Sequence, residues 1–174
     1  MGHVVWTLRE AEEALPAQQT FWISNCDCRE KKGGGCQKGM RVCLGFHPEA
    51  TSTDHGRVPV DRVEVSKLFA FAKAKKLIAR PYLTDAADCV AVCFCCDCCC
   101  AYLHGGGKNV AGKSIQATDM SRCNSCGLCV DSCHFHARTL GKGILKIDKD
   151  GCYGCGLCVV DCPMDAIAMV PRRK

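Results

Sequence analysis

No stretch of this chain approaches the roughly 20 apolar residues that a membrane-spanning helix needs, and aromatic residues make up only 6% of it. The opening, Met1-Gly2-His3-Val4-Val5-Trp6, carries no long apolar region and meets Glu10, Glu12 and Glu13 at once, so no secretory leader is read there. No Ser-His-Asp set and no paired catalytic carboxylates can be assembled from spacing. These absences leave no membrane span and no recognisable hydrolytic centre, and the expected setting is a reducing cytoplasm.

What the chain has in excess is cysteine, 19 residues of 174, a content that signals a cysteine framework. Disulfides and metals are the two possible frameworks, and metals fit better. The count is odd, so complete disulfide pairing would leave one thiol over. Runs such as Cys98-Cys99-Cys100 cannot easily meet disulfide geometry.

The formal charge of +5 changes meaning with metal bound. A [4Fe–4S]²⁺ core with four thiolates carries about −2, so two of them bring +5 to roughly +1. Basicity is therefore no argument for nucleic acid as a partner.

Along the chain, Thr7 and Glu10 predict a capping box for a helix running from Leu8 to Leu15, with Pro16 near its end. Phe21-Trp22-Ile23 predicts a short buried strand. Residues 25–58 look irregular and glycine-rich. Asp61 and Glu64 cap the clearest helix, whose stripe is Val65, Leu68, Phe69 and Ala72. Lys67, Lys73, Lys75, Lys76 and Arg80 lie largely off that stripe and read as a solvated face, and Pro81 stops the run. Val90 to Val92 predicts a strand. Gly105-Gly106-Gly107 marks a linker over 105–112. Gly107 to Ser114 matches the G-x₄-G-K-[ST] phosphate-loop pattern, but Ile115 to Thr118 reads as a strand rather than a phosphate-binding helix, so no nucleotide is expected. Arg172-Arg173-Lys174 reads as a frayed tail.

From residue 113 the chain repeats with a period of 29. Cys123-Asn124-Ser125-Cys126-Gly127-Leu128-Cys129-Val130 returns as Cys152-Tyr153-Gly154-Cys155-Gly156-Leu157-Cys158-Val159, and Asp119 and Asp148 hold the same place before each first cysteine. Each half reads C-x₂-C-x₂-C-x₃-C. Three thiolates at that spacing on a tight loop can wrap one cubane, and Gly127 and Gly156 let the backbone approach it. The fourth cysteine, expected to open a helix that leads away, reaches the other cubane. One set is then Cys123, Cys126, Cys129 and Cys162, and the other Cys152, Cys155, Cys158 and Cys133. Structural zinc has no use for this doubled pattern with an exchanged fourth ligand.

Over residues 113–172 these motifs resemble bacterial two-cluster ferredoxins. The resemblance implies two [4Fe–4S] clusters and one-electron transfer with a redox partner protein. His134 departs from the pattern, because proline usually follows the fourth cysteine. It reads as an ordinary helix-start residue; the alternative is an added N–H donor near the second cluster.

Ten further cysteines fall upstream: Cys26, Cys28, Cys36, Cys43, Cys93, Cys95, Cys96, Cys98, Cys99 and Cys100. The Cys26-Asp27-Cys28-Arg29 segment, Cys36, Cys43-Leu44 and the run 93–100 resemble a family of iron–sulfur proteins that carry a C-x-C-R segment and a C-x-C-C-x-C-C-C run ahead of a two-cluster ferredoxin domain. That resemblance covers most of the chain and implies iron–sulfur binding without naming a reaction. Neighbouring thiols on extended backbone face opposite ways, so the run is either sandwiched between two metal centres or partly plain packing. The ten are expected to hold one or more additional iron–sulfur clusters; zinc and redox-active thiols are the alternatives. Cys89 reads as a free core thiol. His47, His55 and His104 read as surface loop residues. Arg29 serves either as a counter-charge to a cluster or as a solvated loop residue.

The expected architecture is α+β: a C-terminal pseudo-twofold two-cluster ferredoxin domain (113–174), a linker (105–112), and a small cysteine-rich N-terminal α+β domain (1–104). The expected function is electron transfer. The alternatives are a reductase with an unusual N-terminal cluster and a ferredoxin with a structural zinc docking domain.

Overall fold

The structure is a computed structural model that describes residues 3–17, 20–33, 36–47, 56–103 and 109–173. Helix and strand are mixed throughout. Five antiparallel strands form the main sheet in the order β4 (Val58–Val60), β2 (Phe21–Asn25), β3 (Arg41–Gly45), β6 (Cys89–Cys95) and β5 (Ile78–Leu83). The helices α1 (Leu8–Glu13) and α3 (Arg62–Ala74) lie against it and against each other.

Strand alternation sorts the side chains. Val42 and Leu44 of β3, Val92 and Phe94 of β6, and Ala79 of β5 join Val65, Leu68, Phe69 and Ala72 of α3 in one buried core. Each of those strand residues alternates with one that faces the other way. Cys43, Cys93 and Arg80 are directly paired across β3, β6 and β5, so they share that opposite face. Cys95, two residues beyond Cys93, lies on it too.

Both predicted helix caps are present. Thr7 Oγ1 accepts from the Glu10 backbone N–H at 3.0 Å, and Glu10 returns the bond to the Thr7 N–H at 2.7 Å. Asp61 accepts from the Glu64 N–H at 2.9 Å. Helix α3 ends in a Schellman motif: Leu77 N–H bonds Ala72 C=O, Lys76 N–H bonds Lys73 C=O, and Lys76 adopts the left-handed region at φ +53°. The helix thus stops well before Pro81, which lies inside strand β5.

Three expectations are corrected here. The stretch 25–58 holds helix α2 (Asp27–Lys31) as well as β3. Arg29 is fully buried, not solvated, and donates to the carbonyls of Lys38, Gly39 and Phe94. Arg80 is only 3% exposed and leaves the helix face altogether.

The two parts of the chain are joined at several points. Strand β1 (His3–Val4) pairs in parallel with β7 (Asn109–Val110), which lies in the stretch read as a linker. Gly112 N–H bonds Tyr153 C=O at 3.0 Å. Arg172 donates to Cys152 C=O at 2.6 Å, so it is tied down rather than frayed. Lys76 pairs with Asp161 at 2.7 Å and also donates to Ser132 at 3.2 Å. The buried His134 ring sets Nε2 at 2.7 Å from Lys76 C=O and Nδ1 at 3.4 Å from Asp97, so it is an interface residue and opens no helix. The triplet 105–107 lies outside the described residues, and Ser114 begins strand β8 (Ser114–Thr118), with no helix after the phosphate-loop-like sequence.

Lys76 therefore joins the two parts, whereas Lys75 is exposed at the helix C-cap. Lys76→Ala is expected to destabilise the metal-loaded protein by about 1 kcal/mol, the usual worth of a partly buried hydrogen-bonded pair. Lys75→Ala should stay within about 0.5 kcal/mol of the parent. Thermal melts that ranked the two variants the other way would remove the Lys76 contact from the interface.

Candidate metal centres

After β8 the chain forms α4 (Leu128–Asp131), β9 (Arg138–Gly141), β10 (Ile144–Ile147), α5 (Leu157–Val160) and β11 (Ile167–Pro171). Strand β8 pairs with β11, and β9 with β10, both antiparallel. The 29-residue repeat is visible in the backbone. Gly127 and Gly156 both take the left-handed region, at φ +83° and +76°, just before α4 and α5. So do Ser125 and Gly154, and His136 and Asp165. At Gly154 a Cβ would also collide with Ser114 C=O, so this position needs glycine where its counterpart accepts serine. Asp119 N–H bonds Ala166 C=O at 2.8 Å, and Asp148 N–H bonds Ala137 C=O at 2.9 Å. The two repeats thus exchange equivalent hydrogen bonds.

The cysteines surround two cavities. Cys123, Cys126, Cys129 and Cys162 line one, and Cys133, Cys152, Cys155 and Cys158 line the other. Each cavity is lined by three cysteines of one repeat and one of the other. The backbone helps orient the sulfurs: Ser125 N–H points at Cys123 Sγ at 3.4 Å, and Ala166 N–H at Cys162 Sγ at 3.3 Å. The short helices precede Cys133 and Cys162 instead of starting at them, which corrects the expected helix placement. Burial pushes the Cys155 thiol up to about 12 and the Cys158 thiol up to about 11, so metal uptake there must displace protons.

Sequence reasoning passed over Arg138. One repeat later the chain has Ile167, and both side chains are buried. Arg138 lines the Cys133/Cys152/Cys155/Cys158 cavity and also donates to Cys129 Sγ, at the other cavity, at 3.3 Å. Gln116 and Thr118 both accept from its Nη2, Thr118 at 2.9 Å. A fixed cation therefore stands between the two thiol sets. The signal was legible: it is the position where the repeat changes from apolar to charged.

Upstream, Cys36, Cys96, Cys98 and Cys99 bring their sulfurs within 4.8 Å of one another. Individual separations are 3.7 Å for Cys36–Cys96, 3.6 Å for Cys36–Cys98, 3.4 Å for Cys96–Cys98 and 3.6 Å for Cys98–Cys99. Among the described residues this is the one group of three or more ligand side chains drawn so close.

The remaining upstream thiols lie apart from this group. Cys43 Sγ is 3.7 Å from Cys93 Sγ. The Cys26 thiol is lowered to about 6, first by its hydrogen bond with Cys43. The Cys100 thiol is lowered to about 5, first by its hydrogen bond with Cys95 and then, against burial, by the Leu103 and Tyr102 backbone and the Arg80 charge. Burial is the main force raising Cys28, whose electrostatic neighbours include Cys26 and Cys100. Cys93, Cys95 and Cys100 share one apolar cluster with Tyr153, Cys155 and Leu157 of the C-terminal part. Cys89, raised by burial to about 11, has its Sγ 3.4 Å from the Ala91 carbonyl. His47 is half-buried after β3, while His55 and His104 lie outside the described residues.

The family model of the 4Fe-4S dicluster domain matches residues 122–166. That match supports an iron–sulfur, ferredoxin-like domain in this part of the chain. No curated protein matches the chain. No helix among the described residues is long and apolar enough to cross a membrane.

In an iron–sulfur centre that uses Cys129 as a ligand, replacing Arg138 by isoleucine, the residue its repeat uses, is expected to lower the reduction potential. The expected size is about 60 mV, a tenfold change for a one-electron couple. Arg138→Lys should recover part of the shift. An EPR-monitored titration giving the same potential for all three proteins would remove Arg138 from the electrostatics of the site.

Proposed function

We propose that the protein is an electron-transfer iron–sulfur protein. In this reading residues 113–174 form a pseudo-twofold ferredoxin domain with two [4Fe–4S] clusters. One is held by Cys123, Cys126, Cys129 and Cys162, the other by Cys152, Cys155, Cys158 and Cys133. The observation that carries it is the convergence of three cysteines from one repeat and the fourth from the other on each of two cavities. The family match over 122–166 supports it. Each bound cubane supplies one-electron chemistry.

The chain's own contribution is placement and electrostatics. The left-handed residues at 125, 127, 154 and 156 turn the loops around the cavities. The Ser125 and Ala166 N–H groups and the Arg138 guanidinium meet the sulfurs, and such donors raise a cluster's potential. The N-terminal part, through residue 104, carries further metal bound by upstream cysteines. Its thiols at 93, 95 and 100 share one apolar cluster with Cys155, which supports a route for electrons between the two parts. The partner in this reading is another redox protein, and the chain is a carrier or redox subunit rather than an enzyme in its own right.

The test is anaerobic purification with iron, acid-labile sulfide and zinc counted per chain, followed by EPR of the reduced protein. About eight irons for the C-terminal pair, plus further metal for the upstream thiols, is the expected result. Iron far below eight in a folded chain would overturn the proposal.

A further inference from the structure

Arg80 poses an electrostatic problem. It lies at a central position of β5, paired with Cys93, and is 3% exposed. Its Nε and both terminal nitrogens are buried with no hydrogen-bond partner among the described residues. Tyr102 covers the guanidinium with its ring at 5.0 Å, which answers the charge only in part. An unpaired buried guanidinium costs several kcal/mol unless an anion faces it. Its cross-strand partner is Cys93, which shares one apolar cluster with Cys95 and Cys100, and the Arg80 charge acts on all three thiols.

A second contrast concerns spacing. Four sulfurs around one tetrahedral ion with metal–sulfur bonds of about 2.3 Å stand roughly 3.8 Å apart. The Cys36, Cys96, Cys98 and Cys99 sulfurs, 3.4–3.7 Å apart in four of their six pairings and all within 4.8 Å, suit one such ion. A cubane spreads its thiolates over different irons, on a wider tetrahedron. The C-terminal sets around their two cavities show that wider arrangement, since no three of them crowd as the Cys36 group does among the described residues. Around Arg80 the sulfurs approach in pairs and not in fours: Cys43 and Cys93 stand 3.7 Å apart, and among the described residues no third ligand joins them as tightly as in the Cys36 group. Strand geometry turns the adjacent Cys95 and Cys96 to different sides. Cys95 packs with the cluster that reaches Cys155, while the adjacent Cys96 belongs to the core on the helix side and meets Cys36 and Cys98. Arg29, buried beside Cys96 and Cys36, gives the crowded site its own counter-charge.

We infer that the upstream thiols form two separate centres: an outer site of Cys36, Cys96, Cys98 and Cys99 that holds one tetrahedral zinc ion, and an inner pocket of Cys26, Cys28, Cys43, Cys93, Cys95 and Cys100 that holds an iron–sulfur cluster against the Arg80 guanidinium. The outer site is structural and pins the loop after β6 to the Cys36 loop. The inner centre is the redox centre that adjoins the Cys155 cavity. This inference deepens the electron-transfer reading and rests on it.

The experiment compares the anaerobically purified full chain with three variants, reading zinc, iron and sulfide per chain, zinc-edge X-ray absorption and EPR. The parent is expected to hold one zinc with four sulfur neighbours and clearly more iron than the C-terminal pair accounts for. Cys98→Ser with Cys99→Ser should lose the zinc and keep iron and sulfide. Cys100→Ser should lose the excess iron together with an equivalent of sulfide and keep the zinc. Arg80→Gln, which keeps the thiols, should make the inner centre at least tenfold harder to reduce while the remaining signals hold their potentials. Circular dichroism of each variant identifies any that fails to fold, and the Arg80→Gln shift then decides the inner pocket and zinc-edge absorption of the parent the outer site. Zinc absent from the parent, iron and sulfide lost with the Cys98/Cys99 pair, or potentials blind to Arg80 would overturn the inference. Those failures leave the signals of the Cys123–Cys162 region in place. Loss of that set in the parent would sink the electron-transfer reading instead.

Discussion

Successive side chains of an extended strand face opposite ways, and in β6 this constraint organises most of the molecule. Val92 and Phe94 face α3 and close the core, while Cys93 and Cys95 face away from it. Because β3 and β5 pair with β6 in fixed register, Cys43 and Arg80 are carried to the same side. A slip of one residue in that pairing would bury thiols among the phenylalanines and expose the core. The sheet therefore does two tasks with one geometry: it buries a hydrophobic face and displays sulfur on the reverse.

Charge compensation follows from that arrangement. Thiolate-bound iron–sulfur centres are anionic, and the chain places a buried arginine at each sulfur-rich locus: Arg29 near Cys36 and Cys96, Arg80 near Cys93, and Arg138 between the two C-terminal cavities. Each is costly alone and favourable with its anion. In the electron-transfer reading metal loading and folding are linked, since the metal-free interior holds Arg80 with no hydrogen-bond partner among the described residues, and thiols such as Cys155 that burial raises.

The parts legible in the sequence were those with a period. The 29-residue repeat located every C-terminal cysteine that lines a cavity, and helical spacing located Val65, Leu68, Phe69 and Ala72 of α3. The capping box at Thr7 and the N-cap at Asp61 were local and therefore visible. What escaped was set by tertiary neighbours. Arg80 looked like one more lysine-rich helix residue because nothing local announces the left-handed turn at Lys76 that converts helix into strand. Strand β6 was seen only as Val90 to Val92, because cysteine counts as apolar and its alternation with valine and phenylalanine erases the period of two. His134 looked ordinary because its partners, Lys76 and Asp97, stand far away along the chain.

The parallel pairing of His3–Val4 with Asn109–Val110 has a consequence for biosynthesis. On the ribosome the first strand emerges early and has no partner until about a hundred further residues have been made. During that interval the bridge between Trp6 and Ala79 can form. Val5, which follows β1 and shares the apolar cluster of Cys95 and Cys100, gains its backbone bond to Val110 only afterwards. The side of the sheet that carries those thiols is therefore completed only once residues 109–110 have been made.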